Sequence, residues 1–140
     1  MKKPIISDMQ ILRQKSLPAT SDEVQAILQD LNDSLDLKRG IGLSAIQIGI
    51  PKNVSIIRHD GVKIDLINAY IVEKDNKCRI QGEGCLSLAG IRVDTRRYGY
   101  ITIINNGKRE DYAGTLAIAI QHELDHQNGL TILDRKWKAR

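Results

Sequence analysis

The clearest hydrophobic periodicity in the chain lies between residues 20 and 37. Apolar residues recur there at helical spacing and share one face: Val24, Ile27, Leu28, Leu31 and Leu35. Thr20 and Glu23 have the spacing of a capping box. Lys38, Arg39 and Gly40 supply a basic last turn and a glycine stop. The pattern predicts an amphipathic helix over residues 21–37, which we interpret as scaffold.

Segments rich in Ile and Val predict β-strands in the middle of the chain, at residues 53–58, 62–68, 69–73 and 100–105. His59-Asp60-Gly61 is predicted to form a turn, and Asn106-Gly107 is a strong hairpin signal. A second helix is predicted from Thr115 to Asn128, with Gly129 as its stop. Strands joined by hairpin-type connections and flanked by helices indicate an α+β fold rather than alternating βαβ units.

The length of 140 residues predicts one domain, residues 1–140. Hydrophobic residues make up 41% and charged residues 27%, which argues against disorder. Without Phe, the core must be built from Ile, Leu and Val. No apolar run is long enough to span a membrane, and no hydrophobic region follows Lys2-Lys3, so we expect a cytoplasmic protein.

The net charge of +4 has solubility as its simplest explanation. The few aromatic residues do not line up as a stacking surface, so specific nucleic-acid binding is not expected. The chain has Cys78 and Cys85, too few for the disulfide framework of a short secreted domain. In a reducing compartment each is a free thiol, a metal ligand or a nucleophile.

The second predicted helix contains His122-Glu123-Leu124-Asp125-His126, an H-E-x-x-H pattern. The two imidazoles lie one turn apart on one face, so both can reach a single metal ion. Glu123 lies beside that ion, where a carboxylate can accept the proton of an attacking water. Asp125, on the other flank, could orient a histidine or pair with a basic neighbour. The simpler alternative is a solvated helix with histidines at this spacing by chance.

A catalytic site of this kind needs a third protein ligand. The fourteen residues after His126 contain Asp134 but no His or Glu, so the third ligand should lie upstream. Cys85, in Glu83-Gly84-Cys85-Leu86-Ser87, is the best candidate because the adjacent glycine frees the backbone to turn its sulfur toward a metal. A buried small hydrophobe is the alternative for a lone cysteine, and we keep that interpretation for Cys78.

Three segments together resemble the three motifs of the peptide deformylases. They are Gly40-Ile41-Gly42-Leu43-Ser44-Ala45-Ile46-Gln47, Glu83-Gly84-Cys85-Leu86-Ser87 and Gln121-His122-Glu123-Leu124-Asp125-His126. The resemblance extends from about Ile11 to Asp134. It implies antiparallel β-sheets packed around a central metal-binding H-E-x-x-H helix, with an N-terminal helix. It also implies a hydrolase that removes the formyl group from the N-terminal formyl-methionine of new polypeptides.

The resemblance implies that Cys85, His122 and His126 hold one divalent ion, physiologically Fe²⁺, with Zn²⁺, Ni²⁺ or Co²⁺ as substitutes. Glu123 would handle the proton, while the Gln47 amide and the Leu86 N–H would donate to the developing oxyanion. A slot formed by Ile118, Ile41 and Ala119 would take the methionine side chain. Gly42 and Gly84 would let the backbone approach an extended peptide.

Three departures separate the chain from the family pattern. Ser44 stands where alanine is usual, Ala89 stands where a proline is common, and the chain ends soon after Asp134, without the C-terminal helix of the common bacterial form. Such compact forms are known from bacterial viruses, so a phage origin and action in host cytoplasm are compatible with the sequence. We expect none of these departures to touch a metal ligand or Glu123.

Other functions remain open at this stage. One is an H-E-x-x-H protease, which would need a third His or Glu ligand and a larger cleft. A related alternative is an amidase on another N-acyl substrate. Another is a non-catalytic, ribosome-associated metal-binding module, against which the presence of Glu123 and Gln47 argues. The partners expected are formyl-methionyl nascent chains. Weak ribosome association through the basic tail, residues 135–140, is a further expectation, with a frayed solvated terminus as its alternative.

Overall fold

A computed structural model describes residues 1–138 of the chain. The helices are α1 (Met9–Leu12), α2 (Ser21–Ser34) and α3 (Gly114–Gln127), with 3-10 turns at Ala45–Ile48 and Ile132–Arg135. The strands are β1 (Gly42–Ser44), β2 (Val54–His59), β3 (Val62–Ile67), β4 (Tyr70–Gly84), β5 (Arg92–Asn105) and β6 (Lys108–Ala113). None of the helices within residues 1–138 has the length and apolar character needed to cross a membrane.

The strands form two antiparallel sheets, which confirms the predicted α+β class. One sheet has the order β1-β2-β3 and the other has the order β4-β5-β6. Helix α3 packs against strands of both sheets, and α2 covers β2. The helix that carries the H-E-x-x-H pattern therefore lies at the centre of the molecule. This position places its side chains between the two sheets.

The core consists of two clusters of aliphatic side chains. One joins α2 to β1 and β2, and the other joins α3 to β2, β3 and β5. The buried hydrophobic residues within residues 1–138 are all Ile, Leu, Val or Ala, as the absence of Phe predicts. Branched aliphatic side chains interdigitate at high density, so a core can be completed without aromatic rings.

Helix α2 ends earlier than predicted. The capping box at Thr20 and Glu23 is confirmed, but the last helical residue is Ser34 rather than residue 37. Leu35 is already extended, and its side chain packs against the first core cluster. The Ser34 hydroxyl accepts a hydrogen bond from the Lys3 N–H at 2.9 Å. These tertiary contacts end the helix before the glycine at position 40.

Both predicted turns are confirmed, but two strands are longer than predicted. Asp60 and Asn106 have φ of 47° and 49°, and a glycine with positive φ follows each, as in type I′ hairpins. Strand β4 continues to Gly84 and β5 begins at Arg92, although much of β4 is polar and exposed. Pairing with β5 satisfies the backbone hydrogen bonds of β4 regardless of its side chains. Hydrophobic alternation therefore did not predict the polar part of this strand.

Helix α3 lies within one residue of its predicted bounds. Gly129 follows with φ of 75°, and a Cβ at this position would collide with the backbone carbonyl of Arg13. The chain then runs back along β5, where the Trp137 N–H donates to the Asp94 carbonyl at 2.8 Å. The described part of the basic tail is therefore paired with a strand rather than frayed, whereas residues 139–140 lie outside the described residues.

Candidate metal centre

Helix α3 brings His122 and His126 together one turn apart. Their ring centroids are 5.0 Å apart, and their Nε2 atoms are 3.3 Å apart. His126 is fully buried beneath the sheets. Helical geometry alone sets this spacing because side chains at i and i+4 lie on the same face. The predicted pairing of the two imidazoles is therefore present in the structure.

Cys85 lies in the loop between β4 and β5 and faces the two histidines. Its Sγ is 3.5 Å from the His126 Nε2 atom. The sulfur and the ring nitrogens of His122 and His126 all lie within 4.8 Å of one another. Among the residues that the structure describes, this is the cluster of His, Cys, Asp and Glu side chains that could hold a metal ion. Cys78, which pairs opposite Arg97 in the sheet, is not part of it.

The spacing of these atoms fits tetrahedral coordination of a metal ion. Typical Zn–N and Zn–S bonds imply separations of about 3.3 Å between two nitrogens and about 3.5 Å between nitrogen and sulfur. The measured separations are 3.3 Å and 3.5 Å. One thiolate and two imidazoles are also donors that divalent transition metals prefer. The donor types and these two separations therefore suit such an ion, and the Cys85 sulfur lies within 4.8 Å of a ring nitrogen of His122.

The surroundings of His126 favour its neutral form. Burial, the neighbouring His122 and the charge of Arg97 hold the pKa of His126 well below its ordinary value. A neutral imidazole offers a lone pair to a metal, whereas a protonated one does not. Its Nδ1 atom is buried and has no hydrogen-bond partner within residues 1–138. The ligand face of His126 is thus Nε2, which points to Cys85 and His122.

His122 is oriented by a carboxylate on its other side. Its Nδ1 lies 2.7 Å from the Oε2 of Glu83, which directs Nε2 toward Cys85 and His126. Burial alone would lower the pKa of His122, but hydrogen bonds to Cys85 and Glu83 and the charge of Glu123 raise it to about 10 in the metal-free chain. A metal ion therefore competes with a proton for Nε2 of His122.

Glu83 belongs to a buried ion-pair network. Arg97 is 2% exposed and donates to both Glu83 oxygens, at 2.9 and 2.6 Å, and to Asp125 at 2.6 Å. Burial would raise the pKa of Glu83, but the hydrogen bonds from Arg97 and His122 hold it well below its usual range. Asp125 thus pairs with basic neighbours, which is one of the two roles that the sequence leaves open for it.

Glu123 is almost fully buried beside the two histidines. Burial raises the pKa of its carboxyl group above the ordinary value, although His122 and Ser44 oppose the shift. A Cβ on Gly42 would lie 2.6 Å from the Glu123 Oε2, so a larger residue at position 42 would push against this carboxyl group. A raised pKa brings a carboxyl group closer to the pH range in which it can act as both acid and base.

The Ser44 hydroxyl contacts Glu123 directly. Its Oγ lies 2.9 Å from Oε1 of Glu123 and 2.7 Å from the hydroxyl of Ser55. The expectation that no departure from the family pattern touches Glu123 is therefore wrong. Position 44 ends β1, which packs on α3, so its side chain meets the helix at Glu123.

Gln47 and Leu86 place N–H donors next to the cluster. The Gln47 side-chain oxygen accepts from the Ser44 N–H at 3.0 Å, which fixes the orientation of the amide. Its Nε2 then faces the hydroxyl of Ser87 at 3.0 Å and Cys85 Sγ at 3.7 Å. The Leu86 N–H donates to no other group within residues 1–138. Both N–H groups thus belong to residues that line the cavity beside Cys85, although the Gln47 amide already faces Ser87 and Cys85.

A cavity of about 420 Å³ opens onto this cluster. Its lining includes the residues predicted to bind substrate: Ile41, Gly42, Gly84, Ile118 and Ala119. Gln47, Cys85, Leu86, His122 and Glu123 also line it, whereas His126 lies behind them. All the candidate site residues are thus at or directly behind one cavity.

The structure adds residues that the sequence analysis did not assign. Arg97 contacts Glu83, and Ser44 contacts Glu123. Arg39 and Arg92 line the cavity mouth. A buried arginine on a strand has no sequence signal of its own because its partners lie far away along the chain. The position of Ser44 inside a predicted motif was the one available signal.

Comparisons with known proteins agree with this geometry. The sequence profile described as polypeptide deformylase matches residues 2–140. A peptide deformylase of Clostridium beijerinckii is 35% identical over 139 residues, which cover 94% of this chain and 100% of the relative. A peptide deformylase of Aquifex aeolicus is 37% identical over 131 residues, which cover 84% of this chain and 77% of the relative.

Solved structures show the same fold. The crystal structure of a peptide deformylase from Thermotoga maritima superposes with a TM-score of 0.89 at 28% identity, covering 99% of each chain. A peptide deformylase from Synechococcus elongatus, solved in complex with actinonin, gives a TM-score of 0.86 at 31% identity and covers 99% of this chain and 79% of that one. The chain therefore belongs to the polypeptide deformylase family, metal-dependent hydrolases that remove the formyl group from the N-terminal formyl-methionine of new polypeptides.

Proposed function

We propose that Cys85, His122 and His126 hold the metal ion of this deformylase, and that Glu123 is its general acid and base. The observation that carries the proposal is the convergence of one sulfur and two ring nitrogens, at separations that suit tetrahedral coordination, on the floor of a cavity beside a buried carboxyl group. A bound ion supplies Lewis-acid chemistry, because it stabilises developing negative charge and makes a water molecule more acidic.

The other groups move protons and stabilise charge. Glu123 takes a proton from the attacking water and delivers it to the amine nitrogen as the C–N bond to the formyl carbon breaks. The amide of Gln47 and the N–H of Leu86 donate hydrogen bonds to the formyl oxygen while it carries negative charge. Each such donor can lower the barrier by about 3 kcal/mol. The products are formate and a peptide with a free amino terminus.

The substrate peptide would lie along the cavity. Ile41, Ile118 and Ala119 offer an apolar slot for the methionine side chain. Gly42 and Gly84 allow the peptide backbone to come close to the strand edges, as in β-augmentation. Because a formyl group is small, we propose that the residues around it close too tightly for larger acyl groups, which would favour formyl over acetyl peptides.

We further propose Fe²⁺ as the physiological ion, with Zn²⁺, Ni²⁺ and Co²⁺ as substitutes. The thiolate and imidazole donor set suits all four, so the donor atoms alone do not select among them. Purification without oxygen followed by elemental analysis would identify the ion. Zinc as the sole metal after anaerobic purification would contradict the iron proposal.

Formate release tests the function directly. The metal-loaded chain should release formate from formyl-Met-Ala-Ser but leave acetyl-Met-Ala-Ser intact. Glu123→Gln should bind metal and fail to release formate, whereas Glu73→Gln, at an exposed position of β4, should behave as the parent chain. Hydrolysis of internal peptide bonds, or equal activity on the acetyl peptide, would contradict the proposal.

We also propose one catalytic domain, residues 1–140, that acts in the cytoplasm on nascent chains and docks weakly on the ribosome through its basic tail. Lys136 and Lys138 are exposed and could contact RNA phosphates. Such contacts weaken with salt. Co-sedimentation with ribosomes at two salt concentrations, for the parent and for a Lys136→Glu/Lys138→Glu variant, would test the docking. Equal co-sedimentation of both would exclude this role for the tail.

A further inference from the structure

Arg135 lies directly beside the network that reaches the metal ligands. Its Nε donates to Asp125 Oδ2 at 3.1 Å, and its Nη2 donates to Asp125 Oδ1 at 2.9 Å. The Arg135 guanidinium group therefore binds both carboxylate oxygens of Asp125, whose side chain is only 10% exposed. Bidentate pairs of this kind fix orientation as well as charge.

The 3-10 turn Ile132–Arg135 holds Arg135 in this place. The Thr131 hydroxyl accepts from the Leu133 N–H at 3.1 Å, and Asp134 caps the turn through the Thr131 N–H at 2.9 Å. Beyond the turn, the backbone of Lys136 forms an isolated antiparallel β-bridge with Thr95 on β5. The backbone on both sides of Arg135 is thus tied to the fold, which aims its side chain at α3.

From Asp125, an unbroken series of charged hydrogen bonds leads to His122. Asp125 Oδ2 also accepts from Arg97 at 2.6 Å, and Arg97 donates to the Oε2 of Glu83 at 2.6 Å. The same Oε2 lies 2.7 Å from the Nδ1 of His122. Two arginines and two carboxylates alternate along the series, so their charges balance in a largely buried region.

We propose that Arg135 is a positioning residue of the metal centre, which holds Asp125 and, through Arg97 and Glu83, the ring of His122 in its metal-binding orientation. This inference rests on the proposed role of His122 as a ligand. Without Arg135, Arg97 would be the one arginine that neutralises both Asp125 and Glu83. Arg97 would then shift toward Asp125, and its hydrogen bonds to Glu83, which orients the His122 ring, would weaken.

The inference changes the expected consequence of truncation. All the predicted site residues precede Gly129, which suggests that the segment after Asp134 could be removed without effect on the chemistry. The contacts of Arg135 with Asp125 indicate instead that the first residue of this segment supports the metal centre. The boundary of the catalytic unit therefore lies beyond residue 135.

Metal affinity, rather than turnover, provides the test. Full-length metal-free protein would be titrated anaerobically with Co²⁺ against a competing chelator, with the thiolate–Co²⁺ absorption band as the signal. Loss of an outer partner of a ligating histidine weakens binding by about 10- to 100-fold. Because Arg135 acts through intermediate residues, we expect Arg135→Ala to raise the Kd for Co²⁺ by about tenfold and to alter the absorption band.

Arg13→Ala is the matched control. Arg13 pairs at 3.2 Å with Asp134, which lies in the same 3-10 turn as Arg135. Its hydrogen bonds in the structure do not reach Asp125, Arg97 or Glu83. Its removal should leave the Kd and the absorption band unchanged, even if the melting temperature falls. An equal loss of Co²⁺ affinity in Arg13→Ala would show that the turn, not the Arg135 side chain, is responsible, and would overturn the proposal.

Two further variants keep the test decisive if Arg135→Ala does not fold. Arg135→Lys retains a positive charge beside Asp125 and should recover most of the affinity, whereas Arg135→Gln should not. Equal affinities of these two variants, or parental affinity in Arg135→Ala, would overturn the proposal. Failure of the parent chain itself to bind Co²⁺ would instead refute the proposed metal ligands.

Discussion

The hydroxyl of Ser44 lies 2.9 Å from Oε1 of Glu123, and both side chains are buried. A second hydroxyl, on Ser55, lies 2.7 Å from that of Ser44. The Ser55 O–H can donate to Ser44, so the Ser44 O–H can donate to Glu123, whose Oε1 and backbone carbonyl oxygen, at 3.0 Å, are both within reach. Two buried hydroxyls thus orient the group that we propose as general acid and base.

Ser44→Ala should lower kcat by about threefold to tenfold without a change in KM, because one hydrogen bond makes a net contribution of about 0.5–1.5 kcal/mol. The Ser44 hydroxyl opposes the rise in the pKa of Glu123 that burial causes. Its removal should therefore move the acid limb of the kcat/KM profile to higher pH. Steady-state kinetics between pH 5 and 9, with metal content measured alongside, would check this. An unchanged profile and kcat would show that the hydroxyl does not act on Glu123.

Glu123→Gln should retain the metal but lose at least a hundredfold in kcat/KM, because the amide can neither take up nor deliver the proton. The amide has almost the same shape, and the ligand atoms belong to other residues, so the fold should persist. Formate release and elemental analysis on the same sample would provide the measurement. Activity within tenfold of the parent chain would contradict the general-base assignment.

Cys85→Ala should abolish tight metal binding, whereas Cys78→Ala should leave it unchanged. The sulfur of Cys85 lies 3.5 Å from the His126 Nε2, but Cys78 pairs with Arg97 on β5 outside the cluster. Both cysteines are half-buried free thiols, so the second variant controls for the loss of a thiol. Metal stoichiometry after dialysis would distinguish them, and loss of metal in Cys78→Ala would refute the ligand assignment.

Local signals in the sequence were sufficient for much of the architecture. The capping box at Thr20, the type I′ turn at Asn106 and the glycine after α3 act through neighbouring residues, and the structure confirms all three. The end of α2 and the length of β4 depend on partners distant in the chain. Leu35 leaves the helix to reach the core, and polar β4 is stabilised by pairing with β5.

The same distinction applies to the site. The spacing of His122 and His126 follows from helical geometry, so a sequence pattern can reveal it. The partners of Glu83 come from β5 and α3, and no pattern within either element indicates that Arg97 is buried there. Residues that orient a ligand through space are therefore visible only once the sheets are assembled around α3.

Acid should destabilise the fold partly through Glu83. Burial would raise its pKa, but Arg97 and His122 hold it well below the ordinary value of 4.5. A carboxylate with a depressed pKa contributes stability above its unfolded-state pKa, and this contribution is lost as the pH falls toward the folded-state value. In the metal-free chain, the free energy of unfolding should therefore decrease as the pH drops below about 4.5. Glu83→Gln should make the free energy of unfolding less dependent on pH in this range.

Denaturant unfolding of both proteins from pH 3 to pH 7 would measure this effect. Glu110→Gln is a useful control, because Glu110 accepts hydrogen bonds from Asn105 and Tyr112 but does not pair with Arg97. Parallel pH profiles for the parent chain and Glu83→Gln would show that Glu83 does not contribute to the acid sensitivity.

The mouth of the cavity should favour acidic peptides. Arg39 and Arg92 line it and are exposed. Of the carboxylates that line it, Glu123 is buried, and Glu83 is half-buried and already paired with Arg97. Arg92 donates to the Gly82 carbonyl at 3.1 Å, and Arg39 is 3.7 Å from the exposed Asp36, so both guanidinium groups can still meet a substrate. Exposed charges attract weakly and are screened by salt.

We expect formyl-Met-Ala-Asp to have a kcat/KM about twofold to fivefold higher than formyl-Met-Ala-Lys at low salt, with the difference vanishing near 0.5 M salt. An Arg39→Glu/Arg92→Glu variant should reverse the preference. Arg96→Glu, on β5 but outside the cavity lining, should preserve it, because the net charge changes without a change at the mouth. Equal kcat/KM for both peptides in the parent chain would exclude charge selection here, whereas loss of preference in Arg96→Glu would assign it to overall charge.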